Sequence, residues 1–366
     1  MSKLKFIISG GGTGGHIFPA ISIANALKRR VPDAEFLFVG AEGRMEMEKV
    51  PAAGYQIKGL PVFGFDRKNM LKNIKVLFCL VKSLFQAKRI VKEFQPNVVV
   101  GVGGYASGPT LYAANSLGIP TVLQEQNSYA GVTNKLLAKK AAKICVAYEG
   151  MEKFFPKDVI LLTGNPVRQD FLEVAPKSEE AYKFFGFSPE KRTLLIIGGS
   201  LGARTLNKSM LLGLQKLSDA GIQVLWQTGK FYYEEMKKQS EAFASDSLLV
   251  TDFVKRMDYA YSMADLVVSR AGASSISELC LLGKPAVLVP SPNVAEDHQT
   301  KNAMALASRN AAVMISDAEA PEKMIDAVLS LIFDDERLAA ISKNSHDMAQ
   351  LDSADRIASE ILSLVR

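Results

Sequence analysis

Five of the six residues from Gly10 to Gly15 are glycine, and they lie between the strand-like run Leu4 to Ile8 and a helix-like run that begins at Ile17. Without Cβ atoms, and with positive φ accessible, such a turn lets backbone approach a ligand closely. It can aim several N–H groups at one anion, with the partial positive charge of the following helix behind them. The stretch Ser9-Gly10-Gly11-Gly12-Thr13-Gly14-Gly15-His16 therefore predicts a strand-loop-helix unit with a diphosphate or anion cradle at its bend. A turn needed only for tight packing has no use for an imidazole, whereas His16 at the lip supplies a proton acceptor near neutral pH.

From this unit onward short β-branched runs alternate with helix-length segments. Glu35 to Val39, Asn97 to Val102, Thr121 to Leu123, Lys143 to Ala147 and Val159 to Leu162 read as strands of a parallel sheet with crossover helices. Pro19 suits a first helical turn, and Ile17, Ile21, Ala24 and Leu27 form one apolar face. The rhythm breaks across residues 164–192, rich in proline and charge, and restarts at Thr193 to Ile197 with a second glycine turn, Gly198 to Gly202. The expected organisation is an N-terminal domain over 1–163, a linker over 164–192, a second domain over 193–345, and a C-terminal helix over 346–366. Ligands of open α/β sheets sit beyond the carboxyl ends of the strands, so both glycine turns are expected to border one interdomain cleft.

A chain of 366 residues with 48% hydrophobic and 22% charged residues can bury two ordinary cores. Its three cysteines, Cys79, Cys145 and Cys280, are widely spaced, which fits buried thiols in a reducing compartment better than disulfides or a zinc site. The opening residues hold no apolar stretch long enough for a secretory signal, and no eighteen-residue apolar window occurs, so a cytoplasmic protein is expected. The net charge of +6 raises the question of an anionic partner.

Gly10-x-Gly12-x-x-Gly15 matches the dinucleotide fingerprint, but the second strand ends in Val39-Gly40-Ala41, and Glu42 comes too late for the expected ribose ligand. A dehydrogenase is thus a distant alternative. A better ribose ligand is Glu278, in Arg270-Ala271-Gly272-Ala273-Ser274-Ser275-Ile276-Ser277-Glu278, where small residues open a helix. The bland reading of Glu278 is a first-turn glutamate favoured by the helix dipole. Glu296-Asp297-His298-Gln299 with Asn302 repeats the arrangement after another strand.

The turn Gly11 to His16, Gln124-Glu125-Gln126-Asn127, Gly164-Asn165-Pro166-Val167-Arg168, Gly198-Gly199-Ser200 and the stretch Arg270 to Glu278 follow one another in an order and spacing that resemble the MurG family. Its members are the UDP-N-acetylglucosamine:lipid I N-acetylglucosaminyltransferases of bacterial peptidoglycan synthesis, and the resemblance covers nearly the whole chain. It implies an α/β protein of GT-B fold, two Rossmann-like domains facing a cleft, the second holding the sugar nucleotide and the first the lipid-linked acceptor, with the C-terminal helix packing back on the first domain. It further implies that Thr13, Gly14 and Gly15 approach the donor diphosphate and sugar, that Asn127 and Gln299 contact the sugar, and that Arg168 and Ser200 face the diphosphate. Val254 would meet uracil through its backbone, and Ala273, Ser274, Ser275, Ile276, Ser277 and Glu278 would line phosphate and ribose. The chain departs from the family at Leu201, where Gln is frequent, at Gln124, where His is frequent, and at His298, where Gln is frequent.

The implied reaction is inverting transfer of N-acetylglucosamine to the C4 hydroxyl of the muramoyl sugar. It needs a base, and His16 and Glu125 are the candidates. No Asp-x-Asp pair is present, so neither a metal ligand nor a cofactor is expected, and leaving-group charge falls to loop amides, Arg168 and helix dipoles. The expected partners are UDP-N-acetylglucosamine, undecaprenyl-pyrophosphoryl muramoyl pentapeptide (lipid I) and an anionic membrane surface, with no nucleic acid. The segment from Phe63 to Lys92 has no acidic residue between 67 and 92 and interleaves Lys72, Lys75 and Lys82 with Leu77, Phe78 and Phe85. It reads as a peripheral docking face on the cytoplasmic side of the membrane, or else as a basic helix packed normally on its sheet. The rival functions are a GT-B transferase or epimerase for another substrate and a non-catalytic UDP-sugar-binding scaffold.

Overall fold

The computed structural model describes residues 3–64, 70–167, 171, 175–199, 201–294 and 297–365, without the side chains of 70–75. The chain divides into two compact units, Met1–Arg168 with Gln350–Arg366, and Gln169–Ala349.

Unit 1 is a seven-stranded parallel sheet. Its strands are β1 (Lys5–Gly10), β2 (Glu35–Ala41), β3 (Gln56–Leu60), β4 (Val98–Gly103), β5 (Thr121–Glu125), β6 (Lys143–Val146) and β7 (Ile160–Leu162), in the order β3-β2-β1-β4-β5-β6-β7. A strand covered on both faces needs apolar side chains at every position, and β1 obeys. Ile7 joins Val39, Val99 and Leu123 on one face, and Phe6 and Ile8 join Phe38, Val100 and Val122 on the other. The first face is covered by helices α3 (Met70–Phe94) and α4 (Ser107–Ser116), through residues such as Ile90, Val91 and Leu111.

The second face is covered by α1 (Gly14–Arg30) and by α14 (Ser353–Leu362) from the far end of the chain. This explains why α1 is buried over more than the face formed by Ile17, Ala24 and Leu27. Ala20, Ile23 and Ala26 are buried as well, because Ala354, Ile357, Ala358 and Ile361 of α14 pack beside it. Asp355 accepts from Arg29 at 3.1 Å, and Arg356 donates to the Leu162 carbonyl at 2.6 Å.

Unit 2 repeats the plan with β8 (Thr193–Ile197), β9 (Gln223–Gln227), β10 (Leu248–Thr251), β11 (Leu266–Ser269), β12 (Ala286–Leu288) and β13 (Val313–Met314), in the order β10-β9-β8-β11-β12-β13. Its helices include α7 (Arg204–Asp219), α9 (Met257–Met263), α10 (Ala273–Leu281), α11 (His298–Ala307) and α12 (Ala320–Ile332). The segment expected as linker carries α6 (Glu179–Phe185), which packs on α9. Just before it, Lys177 donates to Asp265 at 2.6 Å and to the Met263 carbonyl at 2.9 Å.

Candidate active site

In unit 1 the glycine turn leaves the carboxyl end of β1 with Gly12 at φ +87° and enters α1 behind Thr13, which makes no side-chain cap bond. His16, in the first turn of α1, places Nδ1 3.0 Å from the Gly11 carbonyl oxygen. A carbonyl only accepts, so this bond requires the proton on Nδ1, and in the neutral ring Nε2 is the unprotonated nitrogen. Gly103, at φ +100°, lies against the ring, and a Cβ there would stand 2.8 Å from Nε2.

Sequence reasoning missed what lies under this turn. Glu46, at the start of α2 (Glu46–Ala52), is fully buried, and its carboxylate accepts from Gly12 N–H at 2.8 Å and Ala41 N–H at 2.9 Å. A Cβ on Gly11 would overlap that carboxylate, so the glycine there makes room for it. The anion-cradle expectation for this turn is corrected accordingly. The Gly12 N–H is already donated, and a buried carboxylate beside it opposes a phosphate at that point, leaving the start of α1 at Thr13, Gly14 and Gly15.

Glu125 ends β5 at 2% exposure. One oxygen accepts from the Asn127 backbone at 3.1 Å and its side chain at 3.3 Å; the other accepts from Gly131 N–H at 3.0 Å and Asn134 at 2.8 Å. A buried carboxylate with four donors is suited to shaping the 125–134 loop and setting the Asn127 side chain, rather than to reaching a substrate hydroxyl. Gln124 is likewise buried, in an amide chain with Asn165 and Gln126, and Gln126 donates to the Val102 carbonyl at 2.6 Å. This position thus holds a neutral group with its partners satisfied. The ends of β1, β4 and β5 are neighbours in the sheet, so His16, Gly103 and the Glu125 loop lie along one edge.

In unit 2 the second glycine turn follows β8, with Gly199 at φ +82° and Gly202 at φ +86°. Helix α10 begins behind Gly272 with no side-chain cap and no acid in its first turn, so its leading N–H groups are suited to an anion. The Ser274 hydroxyl there is buried without a hydrogen-bond partner. Ser277 donates to the Ala273 carbonyl at 2.9 Å, and Ile276 is turned into the core at 2% exposure, so the latter offers a ligand only backbone. Glu278 stands in the second turn, so the dipole does not account for it. Its carboxylate accepts from the buried Tyr261 hydroxyl of α9 at 2.8 Å, a contact no local pattern in the sequence signals.

Val254 N–H is donated to the buried Gln227 side chain at 2.9 Å, so a base contact through this backbone would use the Val254 carbonyl. The Gln299 side-chain oxygen accepts from Ser291 N–H at 2.8 Å, so a ligand contact through this side chain would use the amide nitrogen as donor. His298 opens α11 beside it, and Asn302 reaches back to the Ala271 carbonyl at 3.4 Å. Arg168, Ser200, Glu296 and the side chains of Lys72 and Lys75 lie outside the described residues. On α3, Leu77, Phe78, Val81 and Phe85 are exposed by 56%, 72%, 46% and 74%, and Lys82 is exposed beside them.

Two Rossmann-like units, each a parallel sheet covered by helices, define the class of the protein as GT-B in fold. Residues 6–146 match the glycosyltransferase family 28 N-terminal domain and residues 193–357 the glycosyltransferase family 28 C-terminal domain. The chain belongs to glycosyltransferase family 28. It is 63% identical over 365 residues to a protein of Parabacteroides distasonis named UDP-N-acetylglucosamine–N-acetylmuramyl-(pentapeptide) pyrophosphoryl-undecaprenol N-acetylglucosamine transferase, covering 100% of this chain and 99% of that protein. A protein of the same name from Phocaeicola vulgatus is 61% identical over 99% of this chain and 96% of its own length. Among solved structures, MurG of Acinetobacter baumannii superposes with a TM-score of 0.77 at 28% identity, covering 99% of this chain and all of that one.

Proposed function

We infer that this chain transfers N-acetylglucosamine from UDP-N-acetylglucosamine to the C4 hydroxyl of the muramoyl sugar of lipid I, with inversion, giving lipid II in peptidoglycan synthesis. The observation that carries this reading is identity of 63% from end to end with a transferase named for that donor and acceptor. That identity runs through both units.

Unit 2 takes the donor. Glu278, held by Tyr261, accepts the ribose hydroxyls; the start of α10 with Ser274, together with Arg168 and Ser200, takes the diphosphate; the Val254 carbonyl accepts the uracil N3–H; and the Gln299 amide donates to the sugar. Unit 1 supplies the base. As the acceptor oxygen bonds to the anomeric carbon and the bond to the UDP oxygen breaks, the hydroxyl proton passes to His16 Nε2. The electron pair leaves with UDP, whose charge is met by N–H groups and Arg168. Asn127, oriented by Glu125, contacts the transferred sugar.

The acceptor carries a lipid, and the exposed apolar row of α3 with its basic neighbours suits docking on an anionic, cytoplasmic membrane face. No helix among the described residues is long and apolar enough to cross a membrane. The deciding experiment follows labelled N-acetylglucosamine from the UDP donor into a synthetic lipid I analogue. A β-linked disaccharide product is expected, and UDP-sugar binding without transfer would overturn the reading.

A further inference from the structure

The peptide group between Gly11 and Gly12 is held at both ends. Its N–H donates to the Glu46 carboxylate at 2.8 Å, and its carbonyl oxygen lies 3.0 Å from His16 Nδ1. We propose that Glu46 is a positioning residue for the base. Carboxylate, peptide and imidazole form one hydrogen-bonded chain that fixes the His16 ring with its proton on Nδ1 and strengthens Nε2 as proton acceptor.

A carboxylate accepting from a peptide N–H polarises that peptide, and its carbonyl becomes a better acceptor for the next donor in line. The result has the logic of an aspartate behind a catalytic histidine, with a peptide group interposed. The surroundings keep the chain in place. Glu46 is fully buried, its other oxygen is anchored by Ala41 N–H at the end of β2, and Gly40 and Gly11 lack the Cβ atoms that would displace it. Water cannot compete for a carboxylate so enclosed, and the turn takes Gly12 to φ +87°, a backbone conformation that glycine adopts without strain.

The charged groups on the elements packed against α1 point elsewhere. Glu48 of α2 pairs with Lys49; Lys5 of β1 pairs with Glu35; and on α14, Asp355 pairs with Arg29 and Arg30, Glu360 with Lys143, while Arg356 donates to the Leu162 carbonyl. Strand β4, Val98–Gly103, contributes no charge.

The proposal rests on His16 being the base, yet its core can be read without turnover. The chain has only three histidines, His16, His298 and His346, so long-range proton–nitrogen correlation spectra resolve the His16 imidazole in the intact protein. The neutral wild-type ring is expected as the Nδ1–H tautomer. In Glu46→Gln, whose side chain keeps the shape but offers one acceptor for two N–H groups, the ring should titrate at lower pH and become a mixture of tautomers. With it, kcat on a lipid I analogue should fall roughly ten- to a hundredfold, with the acid limb of its pH profile moved the same way and the KM for UDP-N-acetylglucosamine unchanged. A wild-type ring protonated on Nε2, or a Glu46→Gln variant with unaltered imidazole titration, overturns the proposal even if Glu46→Gln is less stable. If Glu46→Gln does not fold, Glu46→Asp, whose carboxylate is one methylene short of the Gly12 N–H, takes its place, and an imidazole titration unaltered in that variant overturns the proposal. If the wild-type ring is the Nδ1–H tautomer and responds to Glu46→Gln as expected, yet His16→Ala keeps full activity, the base assignment falls and the hydrogen-bonded chain of the wild-type protein stands.

Discussion

Among single residues, those that hold a candidate side chain in place are harder to see in the sequence than the candidate itself. His16 and Glu278 stand out as polar groups among glycines and small residues, whereas Tyr261 lies 17 residues before the carboxylate it binds, and Glu46 lies 34 residues after Gly12. Glu46 reads as an ordinary glutamate near the start of a helix until β2 and the glycine turn close over it. The Tyr261–Glu278 bond makes a direct prediction. Glu278→Ala should weaken UDP binding about ten- to a hundredfold, since a hydrogen bond to a charged group contributes roughly 1.5–3 kcal/mol. Tyr261→Phe should weaken it less, and the two effects should not add, which calorimetric titration of the single and double variants would measure. Lys284 makes another. Burial first, and then the charge of Lys177, pushes its ammonium pKa down to about 8 from an ordinary 10.5, with its amino group on the Ala264 carbonyl at 3.1 Å. The folded state therefore binds fewer protons than the unfolded chain between those values, so this residue costs stability below pH 8 and the cost, at most about 3 kcal/mol, is lifted as pH rises toward 10.5. Lys284→Met should consequently have its greatest stability relative to wild type near pH 7 and lose that advantage by pH 10 in parallel urea titrations. A difference independent of pH would contradict this.

Elements were legible where burial on both faces demanded continuous apolar runs, as in Phe6-Ile7-Ile8 of β1 or Leu194 to Ile197 of β8, both fully or nearly fully buried. They were not legible where that demand is relaxed. Strand β3, Gln56–Leu60, is an edge strand with alternating exposure, so its polar residues hide it. Helix α6 falls in a segment whose prolines and charges read as linker, and it is organised by packing on α9 rather than by its own pattern. Helix α3 has two faces that its basic, apolar sequence did not separate. Its inner face, Ala87, Ile90 and Val91, is buried in the unit 1 core, while Leu77, Phe78, Val81 and Phe85 form an outward row at helical spacing. Normal packing accounts for the first set only. Each lysine near anionic lipid adds about 1 kcal/mol of attraction, and the apolar row adds insertion. Reversing the charges of Lys72, Lys75 and Lys82 should thus abolish co-sedimentation with anionic vesicles at low salt, and Phe78→Ser with Phe85→Ser should weaken what remains at high salt. Equal sedimentation of all variants with wild type would rule out this face.

The whole molecule is one parallel-sheet plan used twice, and the two units differ in what lies at the carboxyl ends of their strands. In unit 1 a buried carboxylate and an imidazole share the glycine turn after β1; in unit 2 α10 starts uncapped after β11, with the Ser274 hydroxyl buried without a hydrogen-bond partner. Unit 1 is closed by the end of the chain, since α14 covers the face of α1 that the sheet does not. Ile357→Ala, at a fully buried site, should cost about 2–5 kcal/mol, read as an earlier urea transition by circular dichroism. The division of labour, donor on unit 2 and base on unit 1, is the central claim, and one comparison tests it most directly: kcat on a lipid I analogue and calorimetric UDP affinity for wild type and His16→Ala. Loss of a general base costs about 10²- to 10⁴-fold in rate, so kcat should fall by that order while UDP affinity stays within about twofold. A loss of UDP affinity in proportion to the loss of rate would make His16 a donor ligand and contradict the account.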